Sequence, residues 1–230
     1  DSSGDGSMGN PFATVPRALN AAADGDVIRF RGGTYNDSIQ VASWRGFTDL
    51  TLAAYGSETV TIQANGTEVV GLYGSQGVTL RNLRLTGGVV GIQSGAGNLR
   101  FEGCEFFGMD AAAKGRDAAI LISGVDGLTF DGCTFADNRA QDFVFVNGTN
   151  DNVTIENCTF RDNFANNGVQ QSTIALLNQN PATSIRIADN LFEFTGPKEA
   201  RPTLPAGTDA YAIFFYQCDG GGFADPNIAV

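Results

Sequence analysis

Histidine is absent from the 230 residues, and only two lysines occur, Lys114 and Lys198. The first absence removes imidazole acid–base catalysis, the Ser/His nucleophile arrangement and the usual His-containing zinc sites. Positive charge is scarce altogether: 14 Lys and Arg face 25 Asp and Glu, for a net charge of -11. Nucleic acid and anionic membrane surfaces are therefore excluded as partners, and polyanionic sugars would need calcium or a local Arg cluster to approach. No apolar run reaches the roughly 20 residues that span a bilayer, so no membrane insertion is expected. Four cysteines are too few for a disulfide scaffold, and their spacing matches no zinc finger.

What the chain has instead is a repeat. Leu128–Asn138 alternates apolar Leu128, Phe130, Cys133 and Phe135 with polar Thr129, Asp131 and Thr134, and breaks at Gly132. The pattern returns at Val78–Leu85, Leu99–Phe106, Val153–Phe160 and Ile185–Phe192. The fifth position is Asn82, Gly103, Gly132, Asn157 or Asp189, residue types that tolerate a left-handed backbone, so a bend is expected there in every copy. A fixed motif at variable spacing describes coils joined by loops of unequal length, each coil burying its apolar face against the next at about 4.8 Å. The sixth position carries Cys104, Cys133 and Cys158, expected to stack inside as small apolar side chains, while Cys218 stands apart.

The repeat resembles the pectate-lyase-like superfamily. The resemblance implies an all-β fold, a right-handed parallel β-helix (solenoid) with a short N-terminal capping helix, over nearly the whole chain. It implies no single activity, because that superfamily holds lyases, hydrolases, epimerases, adhesins and non-catalytic proteins. One domain, 1–230, is expected: a polar loop at 1–10, a capping helix at 11–24, coils over 25–218 and a tail at 219–230. Thr14 is the expected N-cap, Pro16 suits the first turn, and Val15, Ala18, Leu19 and Ala22 share one face that would cover the open end of the coils. The runs Asn10–Thr14, Ala18–Ala22, Gly25–Ile28 and Gly32–Tyr35 look like the start of many secreted β-helix proteins. A start at Asp1 suggests processing, and a secreted or cell-surface location is expected.

The second strands of the coils (89–92, 118–122, 143–146, 173–177 and 212–216) are apolar on both faces. Aligning Ile122, Val146, Leu177 and Tyr216 as inward leaves Leu121, Phe145, Leu176 and Phe215 outward, with Phe143, Ile174 and Ile213 beside them. A stripe of that kind calls for a cover: the 193–209 loop, a second subunit or a sugar. The short apolar end of the tail, including Ile228 and Val230, offers a head-to-tail contact with another copy.

Chemistry is sparse. Asp110, Asp137 and Asp162 follow successive bend strands, with Lys114, Arg116 and Arg139 nearby. Stacked carboxylates of that kind suit calcium or the acid/base pair of a glycoside hydrolase, and Asp-Asn after a strand is also ordinary turn chemistry. In lyases of the resembled superfamily an Arg or Lys base works beside calcium. Calcium is the one cofactor suggested, with Asp1, Asp5 and Asn10 as a further oxygen set. Sequons at Asn36, Asn65, Asn147 and Asn152 are accessible glycosylation candidates, while the one at Asn157 falls on a bend. Two functions are expected: a non-catalytic extracellular subunit that associates with copies of itself, or a small lyase or hydrolase acting on acidic polysaccharide.

Overall fold

The computed structural model describes residues 4–41, 47–163, 171–177, 184–193, 195 and 210–216, with only the backbone path at 171–172 and 210–216. Three parallel sheets of seven strands each run the length of the solenoid, and every coil contributes one strand to each. A representative coil holds Asp126–Asp131 in the first sheet, Thr134–Ala136 in the second and Asp142–Asn147 in the third. The bends between first and second sheets fall where the sequence places them. Asn82, Gly103, Gly132, Asn157 and Asp189 all adopt φ between 54° and 61°, and flanking registers such as Glu102↔Asp131↔Glu156↔Ala188 put them one above another.

Inside, rings stack at the coil spacing. Phe106, Phe135, Phe160 and Phe192 form a column with centroids 4.8, 4.5 and 4.9 Å apart and planes within 9° of parallel. Phe101 and Phe130 begin a second column at 4.8 Å. Parallel in-register pairing causes this, because like residues then face inward at like positions, roughly 4.8 Å apart. Outside, register does the same for charge: Glu105 lies opposite Arg84 and Glu156 bonds Arg186. The arginines are 40–51% exposed, so water and salt screen each pair and it stabilises the fold only weakly.

The cysteine column is also as expected: Cys104, Cys133 and Cys158 are buried free thiols, and Cys218 lies outside the described residues. Burial pushes the Cys104 thiol up to about 12, and the adjacent Cys158 thiol together with burial raises Cys133. A folded value above the unfolded 9.0 means that the contribution of Cys104 is complete below pH 9 and is lost as the pH rises toward 12. The ionisation of Cys104 is expected to lower stability by about 1 kcal/mol per pH unit in that window, and Cys104→Ala should flatten the fall. Urea titrations from about pH 8 to about pH 10 check this; identical slopes for both proteins would refute it.

The capping helix is shorter than expected, Val15–Ala21, with Pro16 in its first turn and Val15 and Leu19 buried. Thr14 stands at the N-cap in extended conformation, but the Val15 N–H donates to Asp37 Oδ2 at 3.1 Å, so a carboxylate from the first coil does the capping.

The third sheet corrects the outward stripe. Its register is Ile120↔Val144↔Ile174↔Ile213, then Leu121↔Phe145↔Ala175↔Phe214, then Ile122↔Val146↔Leu176↔Phe215. Ile174 and Leu176 are therefore core residues, 0% and 2% exposed, and Phe143 is buried at 5%. Ile213 and Phe215 pair in register with Ile174 and Leu176, and their side chains lie outside the described residues. The cause is strand length. The last two apolar runs extend one residue further, and aligning their ends rather than their starts exchanges the two faces. Of the stripe, Leu121 and Phe145 remain outward and half-buried. Ile228, Val230 and the 194 and 196–209 part of the covering loop lie outside the described residues.

Candidate functional site

The acidic row predicted after the bend strands is brought together only in part. Asp137 and Asp162 occupy equivalent corners one coil apart, both in the left-handed region at φ 56° and 49°. In the preceding coil that corner is Gly108, at φ 58°, and Asp110 sits two residues further on, level with Arg139. Asp110 Oδ1 accepts the Ala113 N–H at 3.1 Å, which opens the short 3-10 turn Ala112–Lys114. Asp162 accepts from both the backbone N–H and the hydroxyl of Thr195. Lys114 Nζ reaches 3.0 Å to the Gly66 carbonyl and ties the loop to an earlier coil. Arg139 is exposed at the corner, whereas Arg116 lies elsewhere, on a groove. The Asp137 and Asp162 positions are thus used as bends, and the asparagines that follow them form a ladder: Asn138, buried, donates to Asn163 Oδ1 and to the Phe106 carbonyl and accepts the Met109 N–H, while half-buried Asn163 donates to the Phe135 carbonyl.

At the N-terminus, Asp5 Oδ1 accepts the Ser7 N–H at 2.9 Å, and bonds from Ser7 hold its carboxyl below the usual range. The Asn10 carbonyl accepts from the N–H groups of Asp5 and Gly6, and Asp1 lies outside the described residues. Among the described residues no group of three His, Cys, Asp or Glu side chains could hold a metal ion. Of the sequons, Asn36 and Asn65 are exposed, with Asn65 Nδ2 donating to the Asn36 carbonyl. Asn152 Nδ2 bonds Asp126 at 2.8 Å, and Asn147 lines the groove.

That groove is formed entirely from described residues. It has a volume of about 670 Å³ and lies on the outer face of the third sheet, beside the Gly115–Ala118 segment. Two outward columns form its floor. One runs Gly71, Gly91, Leu121, Phe145 and the next Tyr73, Gln93, Ser123, Asn147; all of these but Gly71 and Ser123 line the groove itself. Parallel pairing with period-2 alternation fixes both, because residues two apart on a strand share a face. Tyr73 Oη donates to Glu68 Oε1 at 2.6 Å, and burial, reinforced by Glu68, raises the Tyr73 hydroxyl so that it stays protonated. The backbone of Glu68 is held in turn by Ser38, whose hydroxyl donates to its carbonyl at 2.6 Å. Arg116 and Asp117 stand on the wall, and Asp142, 6% exposed, lies at the base, its N–H donating to the Asp117 carbonyl.

Half-exposed apolar rings and aliphatic side chains beside carboxylates and amides can hold a ligand with apolar faces and hydroxylated edges. Sequence reasoning named Leu121 and Phe145 within a stripe to be covered by a loop, a second subunit or a sugar, placed Arg116 beside the acidic row, and missed Glu68, Tyr73 and Gln93. The available signal was Gly71 and Gly91 inside otherwise apolar strands, where glycine marks a close approach.

The architecture defines a parallel β-solenoid with a groove on the outer face of its third sheet. The chain belongs to the right handed beta helix family, whose model matches residues 54–221. Among solved structures it is similar to the pectin methylesterase from Aspergillus niger in deglycosylated form, at 16% identity and a TM-score of 0.34, over 94% of this chain and 85% of that one. At that level the likeness assigns neither a residue nor a substrate. Among curated protein sequences none matches the chain.

Proposed function

We propose that the chain binds a neutral polysaccharide in the groove of the third sheet, as a secreted or surface-borne protein. The observation that carries this is the pairing of an apolar floor, Leu121 and Phe145, with a parallel polar strip on which Gln93 and Asn147 line the groove. A sugar ring has the same two-sidedness: its face stacks on an aromatic ring while its edge hydroxyls reach carboxylates and amides. Neutral sugars are favoured over acidic ones, since Glu68, Asp117 and Asp142 outnumber Arg116 along the groove and the whole chain carries -11. A hydrolase is the second possibility, favoured by those carboxylates, because glycoside hydrolysis uses such groups in pairs. Lateral self-association loses its main support once Phe143, Ile174 and Leu176 are in the core.

Affinity electrophoresis and calorimetry against glucans, xylans and mannans test the proposal, with release of reducing ends followed in parallel. Wild type is expected to bind at least one polymer, and Phe145→Ala to weaken it about tenfold, the equivalent of about 1.4 kcal/mol. Failure of the whole panel to bind, or unaltered binding by the variant, would overturn it.

A further inference from the structure

We infer, on the basis of the polysaccharide site proposed above, that Gly71 and Gly91 determine its specificity by seating the Glu68–Tyr73 pair as a recognition point for free vicinal hydroxyls. The outward column changes character along the solenoid, from glycine at 71 and 91 to Leu121 and Phe145. The two glycines do not leave an empty hollow. A Cβ on Gly91 would stand 2.7 Å from Tyr73 Oη and 3.2 Å from Glu68 Oε1. One on Gly71 would meet Gln40 Oε1 first and would also stand 2.8 Å from Tyr73 Cε2 and 2.9 Å from Glu68 Oε2. Neither residue has a positive φ, so glycine is needed here for space and not for backbone freedom.

The pair consequently lies low across the strands. A carboxylate presents two acceptor oxygens, and Tyr73 donates to only one of them, Oε1. Two adjacent sugar hydroxyls match such a group, each donating to it, while Gln93, which pairs with Tyr73 in the next coil, adds an amide beside them. The pair lies against Gly71 and Gly91, two to three coils from Phe145, roughly 10–14 Å at about 4.8 Å per coil. A single sugar therefore cannot both stack on Phe145 and reach Glu68. The ligand class is a neutral oligosaccharide of several units whose hydroxyls at the Glu68 end are unsubstituted.

The test is calorimetry with a length series of the bound polymer's oligosaccharides and with its O-acetylated form. Affinity is expected to rise over several units, and acetylation to reduce it at least tenfold. Gly91→Ala and Glu68→Gln are each expected to lose tenfold or more with thermal unfolding unchanged, and acetylated ligand should no longer be discriminated. Where Phe145→Ala weakens binding but Gly91→Ala and Glu68→Gln do not, the recognition point is wrong and the groove stands. Where none of the three variants changes binding, the groove itself is wrong. Saturation of affinity by a monosaccharide would also overturn the inference.

Discussion

Phe135→Ala is expected to destabilise the chain by about 3–5 kcal/mol, among the largest effects a single substitution can have here. The ring is 1% exposed and sits between Phe106 at 4.8 Å and Phe160 at 4.5 Å, with Phe130 edge-on at 5.8 Å. Truncation removes the transfer energy of the ring, opens a cavity that the rigid coil cannot collapse around, and breaks two stacked contacts of roughly 0.5–1.5 kcal/mol each. Phe135→Leu keeps most of the volume and should cost about 1–2 kcal/mol. Urea unfolding followed by circular dichroism measures both. A loss under about 1 kcal/mol for the alanine variant would show that the column is not packed as described.

The second large effect belongs to a polar residue. Asn138 is 1% exposed, accepts the Met109 N–H at 3.0 Å, and donates to the Phe106 carbonyl at 2.9 Å and to Asn163 Oδ1 at 3.0 Å. Asn163 in turn donates to the Phe135 carbonyl, so the two amides bind three coils at one corner. Asn138→Leu is nearly equal in volume, yet it leaves the Met109 N–H and the Phe106 carbonyl without their partner. At about 1–3 kcal/mol per unsatisfied buried group, a loss of about 3 kcal/mol is expected. Asn163→Leu, at a half-buried position that water can reach, should cost less. Equal losses in the two variants would argue against the buried ladder.

These two predictions also show how the fold is written. The Phe columns follow from the repeat itself, because inward positions of a period-2 motif stay inward in every coil. The bends at 82, 103, 132, 157 and 189 were legible for the same reason, each needing a residue that accepts positive φ. Asn138 and Asn163 were visible only as turn residues. Their inward direction depends on the corner geometry that follows the second sheet, where Gly108, Asp137 and Asp162 turn the chain.

The groove was less legible. Its members come from strands and a loop between Glu68 and Leu177, and no local pattern joins them. Faces in the third sheet depend on parity, and a run one residue longer was enough to misplace Ile174 and Leu176. The acidic row failed at Asp110 for a related reason, since the corner fixes backbone conformation and not side-chain type, and glycine serves there as well as aspartate.

By itself the sequence determined the solenoid, its bends, its inward aromatic and thiol columns and its excess of negative charge, because each depends on alternation, on tolerance of positive φ or on composition. Only the tertiary structure decided which face of the third sheet is outermost, and that Gly71 and Gly91 leave room for Glu68 and Tyr73 on the same sheet face as Phe145. Strand register across coils sets those neighbours, and register is fixed by stacking the whole chain rather than by any one segment of it.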